Sequence, residues 1–175
     1  SFKRLSDEER EPLVDYVVHL AVRGETELLA LGYASDEDEM DEDIFAEEAY
    51  EIVVGRWEDA ADLVVVPEDA RPVEDAASAE RGRELFSENC AGCHGPTGLG
   101  DGQSGDPKDF LDAWGFEARP ANLQRGVYRG GRRPLDLFRR IHSGISGSPM
   151  PGFATALGTE EDVWHLVHYI RALAN

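Results

Sequence analysis

The 175-residue chain is 41% hydrophobic, which suits one compact domain with an extension, or two small domains. Its formal net charge of −19 at pH 7 argues against nucleic-acid binding, because a phosphate backbone is held by basic side chains. No apolar stretch approaches the roughly 20 residues that cross a bilayer as a helix.

The negative charge lies almost entirely in the first part of the chain. Residues 1–77 hold 6 basic and 24 acidic side chains, whereas residues 78–175 hold 11 and 12. At the junction, residues 67–79 include two prolines and show little periodicity, which is typical of a linker. The sequence therefore predicts an acidic helical extension over residues 1–77 and a nearly neutral domain over residues 78–175.

Two helices are predicted in the acidic extension. Ser6 followed by Glu9 has the spacing of a capping box, and apolar residues follow at helical spacing. An acidic run over residues 36–43 precedes a second stretch of helical period, which predicts an amphipathic helix over residues 41–65. The acidic run lacks the spaced ligands and the glycine of a calcium-binding loop, so we interpret it as a solvated loop and helix N-terminus.

The second part of the chain is predicted to be helical, with long loops. Helices are expected over residues 78–89, 134–143 and 159–174, and the last has a capping Thr159 and one apolar stripe. No segment alternates as a strand would, and glycine-rich stretches separate the helices. Because long loops are unusual in a small all-α domain, we expect a bound group to contribute to the core.

Both cysteines of the chain occur in one motif, Cys90-Ala91-Gly92-Cys93-His94. Such a run is typical of c-type haem attachment, in which Cys90 and Cys93 form thioethers with the haem and His94 is an axial ligand of the iron. Three alternatives stay open. A redox Cys-x-x-Cys usually lies in a βαβ pattern, a zinc site needs a further knuckle, and a disulfide between residues three apart has poor geometry. The motif predicts one haem c per chain.

Met150 is predicted to be the second axial ligand. It lies 56 residues after His94, between two prolines that stiffen the backbone carrying the thioether. The other methionine, Met40, precedes the haem motif in the acidic run, and His142, just before the Met150 loop, is the rival ligand. Histidine and methionine together leave no open iron position, which favours outer-sphere electron transfer over catalysis.

Over about residues 78–175, the sequence resembles a class I cytochrome c domain. The resemblance rests on the haem motif and on four further short motifs in matching order: Gly82 with Phe86, Arg-Pro-Ala-Asn-Leu at 119–123, Met-Pro-Gly-Phe at 150–153, and the aromatic segment 164–170. It implies an all-α cytochrome c fold, in which the first and last helices cross around a covalently bound haem. A long insert over residues 98–114 departs from the family pattern.

The resemblance also implies roles for individual residues. Gly82 would let the first and last helices approach closely, with Phe86 against the aromatic end of the last helix. The backbone carbonyl of Pro120 would accept the His94 Nδ1 proton and so orient the ring. Arg119 would pair with a haem propionate, and a plain surface arginine is the alternative.

The predicted function is periplasmic electron transfer by a carrier that is not itself an enzyme, in exchange with protein redox partners. Because c-type haem is attached outside the bacterial cytoplasm, we expect an export signal or anchor upstream of this segment, and membrane association only through a parent complex. The alternative is an electron-entry or sensor domain of a larger haem enzyme: a peroxidase, oxidase or dehydrogenase. Six arginines are candidates for steering an acidic partner or docking the acidic extension: Arg125, Arg129, Arg132, Arg133, Arg139 and Arg140.

A weak internal repeat connects the two parts of the chain. A shift of 153 residues aligns Ser6–Leu20 with Thr159–Leu173 without gaps, and five aligned pairs are identical. Two capped amphipathic helices can converge on such a pattern. The other interpretation is that residues 1–31 are the tail of a preceding cytochrome domain, with further haem domains upstream in the same polypeptide.

Overall fold

The structure of the chain, a computed structural model, describes residues 5–36, 42–68, 70–102 and 110–174. The chain divides into two compact units, residues 1–64 and residues 65–175. Most of the acidic run, including Met40, and residues 103–109 of the predicted insert lie outside the described residues. None of the described helices is long and apolar enough to cross a membrane.

The N-terminal unit consists of two helices, α1 over Asp7–Asp36 and α2 over Glu42–Glu58. The predicted capping box begins α1 and is confirmed. The Ser6 N–H donates to Glu9 Oε2 at 2.8 Å, and the Glu9 N–H donates to Ser6 Oγ at 3.2 Å. Two of the otherwise unpaired donors at the helix N-terminus are satisfied in this way.

Helix α2 ends earlier than the predicted helix over residues 41–65. After Glu58 the chain makes a single 3₁₀ turn over Asp59–Ala61 and then becomes extended. Three consecutive valines and Pro67 follow, and both β-branched residues and the position before a proline disfavour helix. Within the unit α2 packs on α1 and buries Ala49 and Val53 completely.

The C-terminal unit is helical, as predicted for an all-α fold. Its only β pairing within the described residues is an isolated bridge between Leu111 and Glu117. The helices that pack its core are α3, α5 and α7, with single turns at α4 and α6. Their bounds are Ala76–Asn89 for α3, Ala91–His94 for α4, Pro134–Ser143 for α5, Ala154–Leu157 for α6 and Glu160–Leu173 for α7.

Helices α3 and α7 cross closely at Gly82, as the resemblance implied. A Cβ at position 82 would lie 2.0 Å from the carbonyl oxygen of His165 and 2.8 Å from Tyr169 Cβ, so only glycine allows this approach. One turn later, the Phe86 ring lies 5.2 Å from the Tyr169 ring, tilted by 57°. The crossing therefore fixes the end of α3, from which the Cys-x-x-Cys-His motif begins.

A polar network extends the crossing at its other end. Ser78 Oγ lies 2.7 Å from His165 Nδ1 and 2.5 Å from His168 Nδ1, and the Arg71 Nε–H donates to His168 Nε2 at 3.1 Å. Because Nε2 accepts this bond, Nδ1 carries the proton of a neutral His168 ring. Burial, and next the positive charge of Arg71, lower the pKa of His168.

The start of the segment predicted as a linker, together with Val65 just before it, packs against the rest of the C-terminal unit. The Val65 carbonyl accepts from Arg139 Nε at 2.9 Å, and the Arg71 guanidinium lies 5.5 Å from the centre of the Trp164 ring. The division between the two compact units falls between residues 64 and 65. The domain boundary at residue 77 stays a prediction. Prolines and low periodicity indicated an irregular backbone, but they carried no information on what it packs against.

Candidate haem-binding site

The two cysteines lie in a tight turn at the end of α3. The Cys90 N–H donates to the Phe86 carbonyl at 2.9 Å and ends α3, and the His94 N–H donates to the Cys90 carbonyl at 2.9 Å and closes α4. Cys90 is half-buried, Cys93 is exposed, and both are free thiols. One helical turn therefore presents two thiols and an imidazole together, without the disulfide that was one of the alternatives.

The Cys90 thiol is poorly suited to thiol–disulfide chemistry. Burial, reinforced by the neighbouring Cys93, raises the pKa of Cys90 to about 12. Redox-active Cys-x-x-Cys pairs have a lowered thiol pKa, since the thiolate is the nucleophile. The raised pKa of Cys90 therefore gives no support to the redox alternative.

The His94 ring is held through one of its two nitrogens. Nδ1 lies 3.2 Å from the Ala121 carbonyl oxygen, and the ring centre lies 6.5 Å from that of Phe86. Burial lowers the pKa of His94, opposed by the bond to Ala121, which favours a neutral ring with its proton on Nδ1. Nε2 is then the nitrogen with a free lone pair, as a metal-ligating histidine requires.

The carbonyl that orients His94 belongs to Ala121, one residue after the Pro120 that the resemblance indicated. The Pro120 carbonyl lies instead against Gly100, where a Cβ would be 2.4 Å from its oxygen. Successive carbonyls of an extended segment point in opposite directions, so a shift of one residue exchanges the two partners. The nature of the bond is as expected, and its acceptor differs.

The backbone around Met150 is held on both sides. The Met150 N–H donates to Ser148 Oγ at 3.3 Å, and the Met150 carbonyl accepts from the Ile145 N–H at 3.1 Å. The Phe153 N–H then returns to the Ile141 carbonyl at 2.9 Å. Met150 is half-buried in this loop, which places the thioether on a constrained backbone rather than in a free segment.

The rival ligand His142 lies on α5, near the Met150 loop in sequence. Its ring stacks on Phe138 at 5.8 Å with an angle of 19°, and its Nδ1 lies 3.2 Å from Ser143 Oγ. His142 is half-buried, as Met150 is. The choice of Met150 over His142 as the second ligand stays a prediction.

The end of the insert, which the sequence left without a role, supports the Met150 loop. Residues 110–118 form a small hairpin in which Asp112 Oδ1 accepts from the N–H groups of Trp114 and Phe116, both at 2.9 Å. The Ala113 N–H donates to the Gly147 carbonyl at 2.8 Å, and the Trp114 ring lies against Gly147. Nothing in the residue pattern linked these two distant loops.

Arg119 lies next to this hairpin and is 75% exposed at its side chain. Its Nε–H donates to Glu117 Oε1 at 2.6 Å, which makes a surface ion pair. The predicted partner of Arg119 is a haem propionate, so that role stays a prediction beside the observed pairing.

The site fits a c-type haem on two grounds of its own geometry. Both thiols are free, and the imidazole beside them has one nitrogen bonded and the other available. The residues that would hold the group are Cys90 and Cys93 through thioethers and His94 through Nε2.

Comparison with known proteins identifies the family of the chain. The sequence model of the family described as cytochrome c oxidase, cbb3-type, subunit III matches residues 77–170, more than half of the chain. Among solved structures, a chain of the Kuenenia stuttgartiensis reducing HAO-like protein complex is similar over 79% of this chain, with 28% identity and a TM-score of 0.57. The match spans 63% of the length of that chain. The protein therefore belongs to the cbb3-type subunit III family of class I c-type cytochrome domains, which implies a haem cofactor and electron transfer through it.

Proposed function

We propose that the chain is a periplasmic one-electron carrier that holds one haem c, with thioethers to Cys90 and Cys93 and axial ligands from His94 and Met150. The observation that carries this proposal is the single turn α4, which brings two free thiols beside an imidazole already bonded at Nδ1 to Ala121. When bound, the haem supplies a one-electron iron couple.

The Met150 loop supports a carrier rather than a catalyst. A thioether on a backbone that is hydrogen-bonded on both sides can occupy the sixth position steadily, and a filled position leaves no room for oxygen or peroxide. Thioether ligation also stabilises the ferrous form and raises the reduction potential relative to two histidines.

Part of the arginine set is free to meet a partner protein. Arg133 pairs with Asp136 at 2.8 Å and Arg139 donates to the Val65 carbonyl, so these two side chains have roles inside the fold. Arg125, Arg129 and Arg132 are exposed and form no ion pair within the described residues. We therefore propose an acidic redox partner, whose association rate should fall as ionic strength rises.

The ligand assignment is tested by visible spectra of the holoprotein and of two matched variants. We expect low-spin reduced bands, a weak thioether-to-iron band in the ferric form, and no carbon monoxide binding. Met150→Ala should open the iron to carbon monoxide and lower the potential, whereas His142→Ala should leave the spectrum unchanged. The reverse pattern would replace Met150 by His142 as the ligand and contradict the proposal.

A second candidate function is supported by the structural neighbour, whose printed name is that of an HAO-like protein complex. On that analogy the chain would be an electron-entry domain of a larger haem enzyme. High-spin ferric iron or rapid carbon monoxide binding by the unmodified holoprotein would favour this candidate. The periplasmic location is tested separately, by fractionation of the native cells.

A further inference from the structure

Residues 113–121, which we call the bridging segment, contact both proposed axial-ligand sites. At one end the Ala113 N–H donates to the Gly147 carbonyl at 2.8 Å, in the loop that carries the proposed thioether ligand. At the other end the Ala121 carbonyl oxygen lies 3.2 Å from His94 Nδ1. One short stretch of backbone therefore connects the two groups that would bind the iron from opposite sides.

The bridging segment begins in a hairpin that is held by several hydrogen bonds. One carboxylate oxygen of Asp112 accepts from the N–H groups of Trp114 and Phe116, both at 2.9 Å. The Asp112 N–H donates to the Phe116 carbonyl at 2.7 Å, and the Ala118 N–H donates to the Phe110 carbonyl at 2.6 Å. A side chain carried by this hairpin therefore restrains the loop that it touches.

Trp114 is the side chain through which the hairpin touches the Met150 loop. A Cβ at position 147 would lie 3.0 Å from Trp114 Cζ3 and 3.4 Å from Cη2, so the edge of the indole lies over Gly147. The next residue, Ser148, donates its N–H to the Ile145 carbonyl at 3.0 Å and accepts the Met150 N–H at its hydroxyl at 3.3 Å. The indole therefore packs on the turn that holds the Met150 backbone.

Trp114 lies outside the buried core of the haem-binding unit. It is 51% exposed, and it is absent from the cluster of buried apolar residues in which α3, α5 and α7 pack. The loss of its ring should therefore cost the fold little, while it frees the turn at Gly147. Residues that orient a metal ligand without touching the metal change the strength of the ligand bond in this way.

We propose that Trp114 is a positioning residue for Met150 and sets how firmly the thioether occupies the sixth position of the iron. The proposal rests on the Met150 ligation proposed above. It goes further because it assigns the strength of that ligation to the insert, where this chain departs from the cytochrome c pattern. Since a firmly held thioether favours ferrous iron, the ring of Trp114 also raises the reduction potential.

Two substitutions of Trp114 in the holoprotein test the proposal by visible spectrum, reduction potential and carbon monoxide binding. Trp114→Ala should weaken the thioether-to-iron band and lower the potential. It should also raise the apparent affinity of the ferrous protein for carbon monoxide by about tenfold or more, in proportion to the fraction of iron from which Met150 has dissociated. Trp114→Phe keeps a flat ring over Gly147 and should restore most of the wild-type values. Equal behaviour of Trp114→Ala and the wild type, or of the two variants, would overturn the proposal.

Phe116→Ala is the matched control in the same hairpin. Phe116 is 71% exposed. Beyond the chain neighbours of Gly147, a Cβ at that position would meet Trp114 alone among the described residues. Phe116→Ala should therefore leave the thioether-to-iron band and the potential unchanged. An equal loss in Phe116→Ala and Trp114→Ala would indicate a general loosening of the hairpin and would overturn the specific role of Trp114.

Asp112 provides a second pair of variants in case Trp114→Ala does not retain haem. Asp112→Ala removes the acceptor that holds the Trp114 backbone, so it should weaken the thioether-to-iron band and lower the potential. Asp112→Asn keeps an acceptor oxygen and should change neither. If Asp112→Ala left both the band and the potential at their wild-type values, the proposal would be overturned.

The wild-type holoprotein and Met150→Ala separate this proposal from the proposed function. A thioether-to-iron band that is present in the wild type and lost in Met150→Ala would establish the ligand, whatever the Trp114 variants do. With that ligand established, wild-type ligation in Trp114→Ala would refute only the role of Trp114. A wild-type holoprotein without the band would overturn both.

Discussion

Replacing Gly82 by alanine should destabilise the haem-binding unit through a collision at its central helix crossing. The added Cβ would lie 2.0 Å from the His165 carbonyl oxygen and 2.8 Å from Tyr169 Cβ, and ordinary contacts begin near 3.4 Å. Both atoms are fixed to the backbone of α7, so neither can rotate away. Helices α3 and α7 would have to separate by roughly 1.4 Å, in a core that is otherwise close-packed.

The size of the effect follows from two opposing contributions. Overpacking of this severity costs at least about 3 kcal/mol, whereas alanine in place of a helical glycine returns about 1 kcal/mol. We therefore expect the free energy of unfolding to fall by about 2 kcal/mol or more. In a unit of this size that corresponds to a fall in unfolding midpoint of about 8 °C or more.

Thermal unfolding of the holoprotein, followed by circular dichroism, measures this directly. Gly55 provides the matched control, because it is also helical but a Cβ there would meet nothing within 4 Å. Gly55→Ala should be neutral or slightly stabilising. If the midpoint of Gly82→Ala were within about 2 °C of that of Gly55→Ala, the close crossing would be refuted.

Three further predictions concern the Met150 loop, the buried histidine and the start of α3. Gly147 has a φ of +73° and lies against the Trp114 ring, so an alanine there should strain the loop. Gly147→Ala should therefore weaken Met150 ligation and allow partial carbon monoxide binding. An unchanged visible spectrum would contradict this. His168 has a pKa in the folded state below its ordinary 6.5, so the unfolded chain binds the proton first as the pH falls. The free energy of unfolding should therefore decrease as the pH drops from about 7 through 6.5, and it should level off below the folded-state pKa. In denaturant titrations, the free energy of unfolding of His168→Gln should depend less steeply on pH than that of the wild-type protein. Equal slopes would show that His168 is not the source of the pH dependence. Asp75 Oδ1 accepts the Ser78 N–H at 2.9 Å, so Asp75→Ala should cost about 1 kcal/mol in chemical denaturation, and no loss would show that this cap contributes nothing.

Local signals in the sequence predicted the helices well. The helix over 134–143 has the predicted bounds, and Thr159 caps α7 by accepting the Asp162 N–H at 3.1 Å. Helix α3 begins at Ala76, two residues before the prediction, because Asp75 rather than Ser78 is the cap. These helix bounds and caps depend on residues within one turn of each other, so a short sequence pattern is enough to predict them.

Features that depend on long-range packing could not be predicted in this way. The support of the Met150 loop by Trp114 and the docking of residues 65–75 join segments that are far apart in sequence. Whether the carbonyl of Ala121 or that of Pro120 accepts the His94 hydrogen bond depends on the direction in which one peptide plane faces. The family pattern located this acceptor only to within one residue. The haem motif itself was recognisable because its chemistry needs three residue types at fixed spacing.

Covalent attachment of haem to Cys90 and Cys93 is tested most directly by the mass of the denatured chain, after production in cells that mature c-type haem. We predict a mass equal to the polypeptide plus one haem, unchanged by extraction with acidified acetone. The variant with both Cys90→Ala and Cys93→Ala should have the mass of the polypeptide alone. A wild-type chain that carried no haem, or that lost it to acidified acetone, would contradict the assignment.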